Sequence, residues 1–249
     1  MIRALSQQIQ MRTEEEARSH LVDLLRQYDN RSHPSNVLDI PPQFNKASVL
    51  VPLFWKNGEW NVMLTVRSKH LRSHSGLVAF PGGKKDPEDE NMIATALREA
   101  EEEIGLKPQD VDIVSVFLPS FVRPNNLVTP VVAIIPNDFV PKRNVEEVER
   151  VFTLPLSRFL MDDYVTKKFP VYDTVVIAHY FTDDVDGESI ETWGYTAQVI
   201  MRIALVVLES DQEREFTNGA RITKHTALAT FGESDLVERL QTLGKGSKL

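Results

Sequence analysis

Apolar positions along the chain change their period several times, and each change marks an element. Thr13 followed by Glu16 has the spacing of a capping box, in which each side chain bonds the other residue's backbone N–H. Ala17, Leu21, Leu24, Leu25 and Tyr28 then recur at helical spacing, predicting a core-packing helix that runs to about Tyr28. Residues 29–42 are a polar, proline-bearing connector. Segments 47–55 and 60–67 are rich in β-branched and aromatic residues, and the Asn57-Gly58 pair between them signals a hairpin. The pattern predicts further strands at 111–118, 127–135, 174–181 and 200–209. It places helices at 91–104, 158–162, 194–199 and 234–243. Groups of short strands with helices between them indicate an α+β or layered α/β/α domain. The expected organisation is an N-terminal helix and connector over 1–44, a main domain over 45–210, and a C-terminal helical segment with a tail over 211–249.

Composition narrows the class. The chain has 249 residues, 42% of them hydrophobic, enough for one large domain. It contains no cysteine, which excludes disulfides, thiolate metal sites and thiol catalysis. With 28 basic against 36 acidic residues the net charge is −8, so nucleic acid is not an expected partner. Segment 199–208 is too short for a membrane span and is broken by Arg202. Residues 1–12 are basic without an acid, a weak match to a mitochondrial transit segment, and they lack the apolar stretch of a secretory signal. The last three residues, Ser247, Lys248 and Leu249, form the S-K-L tripeptide read by the peroxisomal import receptor, so the expected partner is that receptor and the expected location the peroxisome.

The chemistry concentrates in residues 82–106. On a helix over 91–104, Ile93, Ala96, Leu97, Ala100 and Ile104 form one apolar stripe. Glu99, Glu102 and Glu103 share another face at i, i+3, i+4 spacing, while Glu101 projects away from them. Three crowded carboxylates repel one another unless cations sit among them, and oxygen ligands suit hard divalent ions. Gly82 and Gly83 supply a loop that brings backbone close to a ligand, Arg98 lies beside Glu102, and Gly105 is placed to end the helix. The unit is a metal-binding loop and helix for Mg²⁺ or Mn²⁺. Upstream, Arg67, Lys69, His70, Arg72 and His74 put five basic groups within eight residues, followed by Lys84 and Lys85. In an acidic protein this local charge suits a substrate with a pyrophosphate and a further phosphate, and arginine's bidentate fork favours Arg67 and Arg72 over the lysines.

Residues 98–106 (REAEEEIGL) resemble the second half of the Nudix box, R-E-U-x-E-E-x-G-U with U apolar. In its first half Glu90 has the required spacing to Arg98, but Gly83 lies one residue too far upstream, so the loop is longer by one and either Glu90 or Asp89 takes the box's first acid. Residues 63–83 resemble the signature of Nudix coenzyme A diphosphatases, L-L-T-x-R-S-x₃-R-x₃-G-x₃-F-P-G-G. Ten of its eleven fixed positions match, with Met63 in place of a leucine. Stretches around Glu147–Leu160 and 193–197 (WGYTA) are similar to further segments of that family's peroxisomal branch. The resemblance implies a Nudix-type α/β/α sandwich with a mixed β-sheet plus the N-terminal helix, with the Nudix domain over 45–210. It implies hydrolysis of coenzyme A or acyl-coenzyme A to 3′,5′-ADP and (acyl-)4′-phosphopantetheine. The metal would lie on Glu99, Glu102 and Glu103, with Glu102 or Glu103 as catalytic base and Glu147 as a distal alternative. Arg67, Arg72, Gly82 and Gly83 would bind substrate. The alternatives are a Nudix hydrolase of ADP-ribose or NADH, and a Nudix domain that binds coenzyme A without cleaving it.

Overall fold

The computed structural model describes residues 13–32, 44–71, 74–122, 125–171, 174–216 and 220–229. Helix α1 (Glu14–Arg26) begins at the predicted capping box, with both reciprocal bonds formed, and buries Ala17, Leu21 and Leu25. Strands β1 (Asn45–Lys56) and β2 (Glu59–Arg67) form the predicted hairpin, with Asn57 and Gly58 both at positive φ as a tight turn requires. After β3 (Val78–Ala79) and β4 (Gly82–Lys84) comes helix α2 (Met92–Ile104). It is followed by β5 (Asp112–Val116), β6 (Ser120–Val122), β7 (Asn126–Ile134) and β8 (Val148–Pro155).

These eight strands make one sheet, in which β1 and β7 run parallel and the other pairs antiparallel. The arms of the first hairpin part company. β1 pairs β2 only over Leu53–Lys56, and its earlier residues Ala47–Val49 pair β4 instead. Likewise Thr65 and Val66, near the end of β2, pair β3, while β8 runs along the other edge of β2 from Asn61 to Arg67. The segment from β3 to β4 crosses this gap, where the Pro81 carbonyl accepts the Leu50 N–H at 2.8 Å, and so Gly82 and Gly83 are set against the sheet.

Both faces of the sheet are covered. On one, Leu50, Phe54, Met63, Val131 and Ala133 pack with Ala96, Ala100 and Ile104 of α2. On the other, Val51, Leu53, Val62, Leu64, Val132 and Ile134 join a larger cluster with α1 and α3 (Gly194–Val207). Alternate residues of β1 and β7 therefore serve different cores, which is why both read as unbroken apolar runs. The second sheet is β9 (Val165–Val171), β10 (Thr174–Val185) and β11 (Glu188–Thr192), with β10 in the centre. The short pair β12 (Arg214–Glu215) and β13 (Arg221–Ile222) follows α3.

Two expectations are corrected. Segment 200–209 is not a strand: α3 runs unbroken from Gly194 to Val207, so the helix expected at 194–199 continues through it. Burial of Ile200, Met201 and Ile203–Val207 on every side removes the polar positions that would have shown a helical period. At 158–162 there is a 3₁₀ turn, Leu156–Leu160, rather than an α-helix. Strands β8, β9 and β11 carried no pattern-based expectation. The helix expected at 234–243, and the S-K-L tripeptide, lie outside the described residues.

Candidate active site

Helix α2 is fixed at both ends by local chemistry. The Asn91 side chain accepts the Ile93 and Ala94 N–H groups at 2.9 and 3.0 Å, and Gly105 ends the helix in the left-handed conformation at φ 73°. The apolar stripe faces the sheet, so the acidic face is turned to β4. There Gly82 donates its N–H to Glu103 Oε2 at 3.3 Å. The Glu99 carboxylate lies against Gly83 so closely that a Cβ at that position would fall 2.3 Å from its Oε1. Gly82, at φ 154°, has the Ser48 carbonyl oxygen 2.4 Å from where its Cβ would stand. Gly82 is thus required both by close approach to backbone and by its φ, whereas at Gly83 a side chain would have to displace the Glu99 carboxylate.

Glu103 is only 3% exposed. Burial pushes its carboxyl up to about 8, reinforced by the negative charges of Glu99 and Glu147 and opposed by Arg67 and the Gly82 N–H. Burial raises Glu99 as well, with Arg98 opposing and Glu102 and Glu147 adding to the shift. Arg67 ends β2 at a register shift in the β2–β8 ladder, the kind of irregularity that re-aims a side chain. Its Nη1 lies 3.5 Å from Glu103 Oε1. Glu102, 51% exposed at its side chain, is drawn aside to Arg98 at 3.1 Å. Glu101 points away to Lys107, as the helical projection predicts.

Arg98 is the hub beneath the site. It bonds Asp89 through Nε and Nη2 at 3.0 and 3.1 Å, the Lys84 carbonyl at 3.0 Å, and Glu99 at 3.1 Å. The guanidinium holds the buried Asp89 carboxyl well below the usual carboxylate range. Glu90 is exposed. The extra loop residue is therefore absorbed by letting Asp89 reach Arg98, which settles the alternative between Asp89 and Glu90.

Glu147 occupies a turn just before β8, with its carbonyl accepting the Ser68 N–H at 2.8 Å, and its charge acts on both Glu99 and Glu103. Asn144, three residues earlier, donates its N–H to the Glu103 carbonyl at 2.8 Å, tying this turn to the end of α2. No spacing along the chain signals that approach; only the resemblance to the family singled the residue out. Arg72 lies outside the described residues. Among the described residues no three acidic or imidazole side chains converge on one point. The arrangement is a buried carboxylate pair with a third carboxylate swung to one side. Two carboxylates desolvated by burial are nevertheless an oxygen donor set that fits a hard divalent cation.

A glycine strand, an acid-faced helix and a mixed sheet between two helical layers define a class of protein. Residues 44–175 match the NUDIX domain, and the chain belongs to the Nudix family of hydrolases. More particularly, it is 42% identical over 168 residues to the mouse protein named peroxisomal coenzyme A diphosphatase NUDT7, covering 66% of this chain and 71% of that one. It is 38% identical over 175 residues to the Arabidopsis thaliana protein named Nudix hydrolase 15, mitochondrial, covering 66% of this chain and 59% of the plant protein. Among solved structures, that of a C. elegans Ap4A hydrolase binary complex is similar at 20% identity and a TM-score of 0.39, covering 45% of this chain and 81% of that one. The chain is accordingly a pyrophosphohydrolase of the Nudix type with an α+β fold.

Proposed function

We propose that this Nudix hydrolase cleaves the pyrophosphate bond of coenzyme A and its thioesters, releasing 3′,5′-ADP and (acyl-)4′-phosphopantetheine. The substrate class is supported by the name of the mouse relative and by the basic segment around Arg67. The observation that carries the reading is the desolvated pair Glu99 and Glu103 beside consecutive glycines, with Arg67 at its edge. Glu99 and Glu103 would hold Mg²⁺ or Mn²⁺, with Glu102 as the third ligand once released from Arg98. Held by these carboxylates, a divalent cation would supply charge neutralisation of the pyrophosphate and activation of a water.

The chain's own groups do the rest. Gly82 and Gly83 let phosphate oxygens approach the backbone. Arg67 offers a planar fork to the phosphate, as does Arg72 in this reading. Glu102, half exposed on the solvent side of the pair, would accept the water's proton, with Glu103 and Glu147 as the alternative bases. Chromatography of the products from coenzyme A and Mg²⁺ tests this directly, with 3′,5′-ADP expected. Coenzyme A left intact while ADP-ribose or NADH is cleaved would overturn it, as would binding without cleavage.

A peroxisomal location belongs to the same proposal, supported by the mouse relative's name. An N-terminally fluorescent fusion is expected in peroxisomes, through the import receptor, and removal of Leu249 should shift it to the cytosol. A punctate peroxisomal signal after that removal would exclude the S-K-L tripeptide as the address.

A further inference from the structure

A cavity of about 250 Å³ opens beside the glycine strand, lined by Lys46, Lys85, Asn91, Met92, Pro119, Leu127 and Thr129. It lies where the first residues of β1 and β7 meet the loop that leads from β4 to α2. Two lysines face it, and neither forms an ion pair among the described residues. Lys46 is exposed, and Lys85 spends its ammonium donors on the main-chain carbonyls of Asp86 and Asp89 rather than on a carboxylate. Of the four acids in the same loop, Asp89 is bound to Arg98, the Asp86 carboxylate lies 3.7 Å from the same guanidinium, and the exposed Glu88 and Glu90 form no ion pair with either lysine among the described residues. In a chain of net charge −8, two unneutralised cations on one concave surface mark a place for an anion. Thr129 adds a hydroxyl, and Met92, Pro119 and Leu127 an apolar wall of the sort that covers a sugar or base.

The geometry points to this cavity as the subsite for a phosphomonoester on the nucleoside end of the substrate, separate from the pyrophosphate site. This inference rests on the coenzyme A reading, in which that group is the 3′-phosphate. Register supports it. Lys85 stands two residues after Gly83, beside which the Glu99 carboxylate lies, and the Lys85 N–H bonds the Lys46 carbonyl at 2.9 Å. Two residues of extended chain span about 7 Å, the order of the separation between 5′- and 3′-phosphates across one ribose. A pyrophosphate against Gly83 thus brings a 3′-phosphate to the lysines.

The test uses the full chain with Lys46→Gln, because the Lys46 side chain is exposed and supports no other residue. Lys85→Gln, checked by its melting temperature, is the second variant. With Mg²⁺ present, KM should rise on the order of tenfold more for coenzyme A than for 3′-dephospho-coenzyme A, the loss expected for one charge-assisted contact. Equal changes on both substrates, or none, overturn the subsite while leaving the activity intact. In a chelating buffer, calorimetry should show adenosine 3′,5′-bisphosphate binding more tightly than adenosine 5′-monophosphate, with the difference shrinking about tenfold in Lys46→Gln. That arm decides the cavity even if neither coenzyme is cleaved, a result that would sink the functional reading alone. Equal binding of the two nucleotides, or an unchanged difference in the variant, rejects the subsite.

Discussion

At the scale of single residues, the site is organised by what burial does to charge. Glu103 has one main-chain donor and a distant arginine to offset its desolvation, so it is poised to take a cation. Glu103→Gln or Glu99→Gln keeps side-chain volume and removes that charge. In the functional reading kcat should fall at least a hundredfold at saturating Mg²⁺, with melting temperature unchanged or raised; near-normal kcat in both variants would refute the assignment. His179 provides a pH-dependent case away from the site. It is buried, bonds the Glu215 carbonyl at 2.7 Å and faces the Thr166 hydroxyl at 3.0 Å, with Arg214 nearby. Burial is the main reason its pKa is lowered from 6.5. A group lowered in the native state binds more protons when unfolded, so its contribution is fully present above 6.5 and is lost as the pH falls from there through the lower native pKa. Glu99 and Glu103, raised by burial, act in the opposite sense between pH 8 and 5. The decline from His179 is therefore read by difference in melting curves: His179→Phe should gain more stability on acidification than the native chain. An identical slope in the variant would remove His179 as its source.

At the scale of elements, ends proved more legible than interiors. The capping box of α1, the Asn-Gly turn of the first hairpin and the Gly105 stop of α2 are local signals, each satisfied by bonds within a few residues. The acidic face of α2 was legible for the same reason, since three of its positions recur on one side of a single helix. The approach of Glu147 to Glu103 was not, because it depends on a turn held to β2 and α2 by main-chain bonds across the fold. Helix α3 was misread because burial on all sides erases the period. The β4–α2 loop lies between these cases: spacing showed that one residue was extra, but only packing decides which acid fills the box. Asp89→Asn strips a buried partner from Arg98 and should cost about 3 kcal/mol, roughly 10 °C of Tm in a chain of this size. Glu90→Gln should change Tm by no more than about 1 °C. Calorimetric melts of the two variants make the comparison, and equal shifts would argue against Asp89 as the buried anchor.

At the scale of the whole molecule, one sheet separates two unequal cores. The acid-faced helix α2 rests on the smaller, while α1, α3 and the segment through Leu228 share the larger. Regions with fewer buried contacts open at lower free energy than the global transition. Hydrolysis should therefore be lost on warming before the larger core melts. Amide exchange along 92–104 should be faster than along 197–207, and equal protection of the two helices would contradict this. The consequence reaches the laboratory bench. Of the three tryptophans, Trp55 and Trp60 belong to the larger core and Trp193 sits at the start of α3, stacked on Tyr180. Intrinsic fluorescence thus watches the wrong side of the sheet: a sample can keep a native emission spectrum after its chemistry has gone, and only an activity assay would tell the two apart.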